Sequence, residues 1–185
     1  MIPRNIPWRL VAAAILVPLF LLLFSYHLVL LFYPQTAVQR ETISALLTNQ
    51  PFLLNFAADE QSHMEDVGVV MRRALMTFAA LALFLTVLLK DVWHDAVQRK
   101  LILCVGSMST LIVAGIIFLA VVLSFQSLFV VFHLLFFPQG NWQFSSDSLL
   151  IHTFPGSFFI GMTISFFVLA LLLAFCILIF AKKLR

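Results

Sequence analysis

Four long apolar runs dominate this chain, at about 10–32, 74–89, 101–125 and 158–180, with charges gathered at their ends. Runs of about twenty apolar residues match the roughly 30 Å hydrocarbon core of a bilayer. Soluble domains carry about 25% charged residues, whereas this chain carries 10%, with a mean hydropathy of +1.09. Lipid leaves backbone polar groups no water to bond, so each run is expected to form a helix. The expected fold is all-α: a polytopic membrane protein of four transmembrane helices with an extracytoplasmic helical and loop cap. Residues 1–185 are read as one membrane domain, with outer loops at 34–73 and 126–157.

Basic residues orient the spans. One side of the expected membrane collects Arg4, Arg9, Lys90, Arg99, Lys100, Lys182, Lys183 and Arg185; the other has Arg40, Arg72 and Arg73. The excess marks the cytoplasmic side, so both termini are expected there. Nearly all the chain outside the spans then falls on the outer face. A formal charge of +3 spread over segment ends is not a nucleic-acid footprint. Arg4 and Arg9 before an apolar run resemble a signal peptide, but the run is too long and lacks a small-residue cleavage site. It is therefore read as a retained first span. Cys104 and Cys176 lie in apolar runs and form no C-x-x-C, which argues against thiol–disulfide chemistry.

Pro18 is tolerated in a membrane helix, and Tyr33-Pro34 closes the first span. Residues 37–47 are compatible with a helix that breaks at Asn49-Gln50-Pro51. From Asp59 the pattern stays helical to Leu89, a length of about 46 Å at 1.5 Å per residue. That exceeds the membrane, so the first turns are expected to protrude on the outer side. Segment 126–137 admits two readings: an overlong third span, or a separate interfacial or re-entrant helix ended by Pro138.

The residues able to do chemistry gather in two outer stretches. His63 and Asp66, three apart, share a helix face, and a carboxylate beside an imidazole raises its pKa and fixes its tautomer. Asp59, Glu60 and Glu65 read as a solvated acidic helix start favoured by the dipole. His133 sits among phenylalanines, and an ionisable group at membrane depth is a functional candidate. Trp142 reads either as a substrate contact or as an interfacial anchor. Asp147 reads either as a substrate contact or as the N-cap before Leu149. Arg72 and Arg73 either hold lipid phosphates or snorkel. Phe136 and Phe137 are candidates for an acyl-chain groove. His27, His94 and His152 read as structural or loop residues. No H-E-x-x-H pattern is present, and no histidines pair across spans as haem would need, so no metal or cofactor is expected.

The pattern Glu60-x-x-His63-Met64-x-Asp66-Val67 before the second span resembles the lipoprotein intramolecular transacylase (Lit) family. So does Phe132-His133-x-x-Phe136-Phe137 with Trp142-x-Phe144, Asp147-x-Leu149, Phe154-Pro155 and Phe158-Phe159. The resemblance covers the four-span layout. Segment 145–148 is serine-rich here and the loop 34–58 is short. The resemblance implies an acyltransferase of the bacterial cytoplasmic (inner) membrane, with its site on the extracytoplasmic face. Its partners would be diacylglyceryl-modified lipoproteins and membrane lipid. The sn-2 acyl chain would move from the glyceryl group to the cysteine α-amine, leaving a lyso-form lipoprotein. Ester-to-amide transfer is downhill and calls for neither ATP nor metal.

The residues suit that chemistry. An α-amine with a pKa of about 7.7–8.0 is matched to an imidazole near 6.5. Donor and acceptor in one molecule give a high effective concentration. A second histidine or a backbone N–H can stabilise the oxyanion. His63 and His133 are the two candidate imidazoles, with Asp66 orienting His63; which acts as base stays open, and a covalent route through Ser62 is weaker. The competing class is a non-enzymatic membrane adaptor or lipid-binding subunit. A transporter is disfavoured by the absence of inverted repeats. From the charge asymmetry, a reporter fused after Arg185 is expected to read cytoplasmic, and one inserted near Gln50 extracytoplasmic. The opposite pair of readings would remove the site from the lipoprotein side.

Overall fold

The computed structural model describes residues 6–184. Arg4 and Arg185, two of the basic residues that orient the chain, lie outside the described residues. The described residues form six helices and no strand: α1 (Ile6–Phe32), α2 (Ala37–Thr48), α3 (Ala58–Asp91), α4 (Ala96–Phe136), α5 (Leu149–Thr153) and α6 (Gly156–Lys183). α1, α3, α4 and α6 are long and apolar enough to cross a membrane. α2 and α5 form a cap at one end.

Helix length decides where the cap stands. α3 has 34 residues and α4 has 41, about 51 and 62 Å at 1.5 Å per residue, against a hydrocarbon core of about 30 Å. Residues 58–73 of α3 include Asp59, Glu60, Glu65, Asp66, Arg72 and Arg73. These charged residues gather in the first half of α3, and residues 74–89 that follow are apolar. Segment 126–137 belongs to a second helical stretch of α4 that ends at Phe136. α4 is bent at Ser124, whose φ of −159° and ψ of 79° are not helical. The Ser124 and Ser127 hydroxyls bond each other there at 2.7 Å. A serine pair that disturbs the backbone ladder is a recognised cause of a kink.

α1 is the central support, packing on α3, α4 and α6, while α4 also packs on α6. The approach of α1 to α4 depends on Gly106: a Cβ there would lie 2.7 Å from Val17 Cβ. At the end opposite the cap, Arg9 pairs with Asp91 and donates to Gln98 at 2.6 Å, tying α1 to α3 and α4. Pro18 is accommodated within α1.

The cap is assembled by caps and cross-bonds. Thr36 and Gln39 form a reciprocal capping box at the start of α2. Asn49 ends α2 in the left-handed conformation, φ 57°, a role that asparagine tolerates. Gln39 Nε2 donates to the Thr153 carbonyl at 2.8 Å, joining α2 to α5. Glu60 is only 3% exposed. One carboxylate oxygen accepts from Ala57 N–H at 2.8 Å and the other from Leu150 N–H at 2.9 Å. It thus fastens the N-terminus of α5 to that of α3. Ile43, Leu46, Phe56, Met64, Met71, Leu150, Phe154 and Phe158 fill the space beneath. Glu60 is therefore not the solvated helix-start acid that its sequence context suggests.

Glu60→Ala would orphan two backbone donors, each costing about 1–3 kcal/mol when buried. The expected result is a lowered thermal midpoint in detergent, with cap amides gaining hydrogen exchange before those of α1 and α6. Unchanged exchange at Leu150 and Ile151 would contradict the bracket.

Candidate functional site

The protruding ends of α3 and α4 meet beneath the 138–144 turn, and the two imidazoles meet there. The His63 and His133 ring centroids are 5.9 Å apart, with planes 29° from parallel. They are 6% and 8% exposed. Phe137 packs edge-on to His63 at 4.8 Å and lies 5.5 Å from His133. Phe144 stands 5.6 Å from His63, and Trp142 covers His133 at 4.8 Å. Phe129 lies beneath His133 at 4.0 Å. The pair is enclosed by rings on most sides.

Each imidazole has a distinct bonding state. His133 Nδ1 lies 2.7 Å from the Phe129 carbonyl oxygen, one turn back in α4. A carbonyl can only accept, so Nδ1 carries the proton and Nε2 presents a lone pair. His63 Nδ1 is buried and has no partner. Burial pushes the His63 ring down to about 4, helped by the nearness of the His133 ring and opposed by Asp66 and by the Asn141 amide. His63 is therefore a neutral imidazole at neutral pH.

Asp66 bonds the turn above His63. One of its carboxylate oxygens accepts from Gln139 Nε2 at 2.7 Å and from Asn141 Nδ2 at 2.8 Å. With its NH₂ end turned to Asp66, Asn141 leaves its carbonyl oxygen, buried and unpartnered, for the His63 side. Asn141 Nδ2 also reaches Ser62 Oγ at 3.4 Å. Asp66 thereby anchors the 138–144 turn over the histidines. Gly140 takes φ +81° within that turn, a conformation glycine adopts without strain.

The remaining candidates separate. Phe137 is 2% exposed and is a wall behind the imidazoles, not an open groove surface, while Phe132 and Phe136 are each 45% exposed on the outside of α4. The Arg72 guanidinium donates to the Leu46 carbonyl in the last turn of α2, beside Gly68, where a Cβ would crowd it. It is thus engaged in holding α2. Arg73 is exposed. Asp147 is exposed and is not the α5 N-cap: Ser148 Oγ accepts from Ile151 N–H. A hydrogen bond from Ser145 holds the Asp147 carboxyl below the usual range, and His152 is a nearby charge. Asp147 lies with Asp59, Gln143 and Phe144 around a shallow cavity of about 480 Å³ on the far side of Phe144. Away from the pair, His27 bonds the Leu23 carbonyl and stacks on Phe78 at 5.2 Å. His94 lies exposed in the loop between α3 and α4. Among the described residues no three His, Cys, Asp or Glu side chains are grouped to hold a metal. Cys104 and Cys176 are free thiols.

Comparison with known proteins places the chain in a family. The family model described as "Lipoprotein intramolecular transacylase Lit" matches residues 36–159, more than half of the chain and all of the site. The chain belongs to the lipoprotein intramolecular transacylase family. It is an acyltransferase family, and with four apolar helices this member is a multi-pass membrane protein. The solved structure of the membrane-integral Lit transacylase from Bacillus cereus has a similar fold, with a TM-score of 0.79 over 96% of each chain at 15% identity. No curated protein sequence matches.

Three residues of this Lit-family site escape a reading by residue type. Gln139 and Asn141 are turn amides beside a Pro-x-Gly, and only their convergence on Asp66 distinguishes them from ordinary turn residues. Glu60 lacks the usual capping signature because Ala57, at the N-cap, has no hydroxyl. The depressed titration of His63 also has a consequence for stability. Between pH 6.5 and 4 the unfolded ring binds protons that the folded ring refuses, so stability falls as pH drops through that window. Wild type is expected to lose more thermal stability between pH 7.5 and 4.5 than His63→Gln; equal losses would contradict the buried neutral ring.

Proposed function

We propose that this chain is the enzyme that moves the sn-2 acyl chain of a diacylglyceryl-modified lipoprotein onto its N-terminal cysteine α-amine. The observation that carries the reading is the apposition of His63 and His133 in an aromatic enclosure, with the His133 tautomer held by the Phe129 carbonyl. Membership of the transacylase family supplies the reaction class.

In the proposed step, the cysteine amine docks on His133 Nε2, which takes its proton as general base. A new bond forms between the amine nitrogen and the ester carbonyl carbon. His63, neutral and holding an N–H, donates to the oxyanion that develops. The bond from that carbon to the sn-2 oxygen then breaks, and the proton returns from His133 to the leaving oxygen. The products are an amide and a free glyceryl hydroxyl, with no net gain or loss of protons. No step passes charge through a metal or cofactor. Asp66 acts as a positioning residue through Asn141. Phe132 and Phe136 offer an apolar surface to the acyl chains, and Arg73 is placed to meet a lipid phosphate. The site is proposed to face the extracytoplasmic side of the cytoplasmic membrane.

The test is mass spectrometry of a reporter lipoprotein's N-terminus in cells expressing each variant. General-base catalysis is worth roughly 10²–10⁴-fold, so His133→Ala and His63→Ala are expected to leave the diacylglyceryl form unconverted while inserting normally. His94→Ala is expected to convert like wild type. Full conversion by His133→Ala would overturn the mechanism.

A further inference from the structure

The geometry points to the indole N–H of Trp142 as a second hydrogen-bond donor to the oxyanion of the migrating acyl group. This rests on the transacylase reading above and deepens it. Trp142 Nε1 is buried and no acceptor in the protein reaches it. An indole N–H only donates, and a buried donor without a partner costs free energy. A tryptophan that anchors a helix at the membrane surface keeps its N–H among headgroups and water; here the nitrogen is closed off from both.

Its placement suits the task. The indole covers the His133 ring at 4.8 Å and 39°, and that ring's Nε2 is where the attacking amine would be held. The carbonyl under attack must lie against that amine, next to the indole ring, and its oxygen reaches the buried nitrogen when the substrate parts the rings that close over it. The backbone of Trp142 is steadied by its neighbour Asn141, bonded to Asp66. The donor is therefore fixed in advance, which is what makes oxyanion stabilisation effective. Lacking any lone pair to offer, the indole nitrogen cannot take the amine's proton, and donation to the amine's own lone pair would block attack, so the productive acceptor is the carbonyl oxygen. When the amine nitrogen bonds to the carbonyl carbon, the electron pair of the C=O moves to that oxygen, and Trp142 and His63 both donate to it. When the C–O bond to the glyceryl oxygen breaks, the pair returns and the amide remains.

The decisive experiment replaces Trp142 in the full membrane-inserted chain with benzothienylalanine, in which sulfur replaces the N–H and ring size is kept. Turnover of a synthetic diacylglyceryl lipopeptide is then measured. Loss of one oxyanion donor costs about 10²–10³-fold, so kcat is expected to fall by about that factor with KM little changed. A kcat within about threefold of wild type, or a change confined to KM, overturns the inference. Should the variant fail to insert, fluorinated tryptophans at 142 keep both shape and N–H: kcat is expected to rise with N–H acidity, and an acidity-independent kcat overturns the inference. His133→Ala in the same assay separates the two readings. If it is inactive while the benzothienyl variant is active, only the role of Trp142 falls; if it is fully active, the transacylase mechanism falls with it.

Discussion

The site exists because α3 and α4 are longer than a bilayer is thick. A helix sized to the membrane would end at the headgroups and leave its terminal residues in water. α3 continues above Arg73 and α4 above Ser124, and within each continuation the backbone bonds are internal. Two helical extensions from different places in the chain can enclose a volume that a pair of loops would leave open to water. The kink at Ser124 sets the direction of the α4 extension, and the His133 imidazole is carried with it.

These extensions need a lid, and two carboxylates of one short stretch hold it. Glu60 faces inward and binds the start of α5, so the chain between α4 and α6 is tied down at its far end. Asp66, two turns later, binds Gln139 and Asn141 at its near end. The 138–148 segment is thus fastened at both ends to α3, with Trp142 and Phe144 pressed toward the histidines between the fastenings. Similar side chains do different work here because Glu60 points into the cap core and Asp66 points at the turn. Burial is tolerated at Glu60 because backbone N–H groups occupy both of its oxygens.

The likeness to the Bacillus cereus transacylase at 15% identity shows how little of the sequence the fold requires. Lipid-facing positions ask only for apolar bulk, so they drift freely. Close approaches ask for more: Gly106 against Val17, or Gly161, where a Cβ would run into the Tyr33 hydroxyl. Arg72 illustrates a residue whose position in the chain misleads. It flanks a membrane span, where a headgroup contact is the natural expectation, yet its guanidinium serves the last turn of α2.

Hydrophobic patterning by itself determined the helical class, the four spans and the excess length of the second, because lipid forces each apolar run to satisfy its own backbone. It also singled out His133, an ionisable ring among phenylalanines, while the three-residue spacing to Asp66 singled out His63. What patterning could not decide was the neighbourhood. That His63 and His133 face each other, that Asp66 bonds Gln139 and Asn141 of the turn, that Glu60 is buried and that Phe137 lies behind the rings all depend on how distant segments are packed. Those contacts join residues some 70 to 90 positions apart. Local sequence specifies a helix through bonds four residues long, whereas a side chain's partner is set by the crossing of whole helices and the bend at Ser124. Only the tertiary structure fixes those.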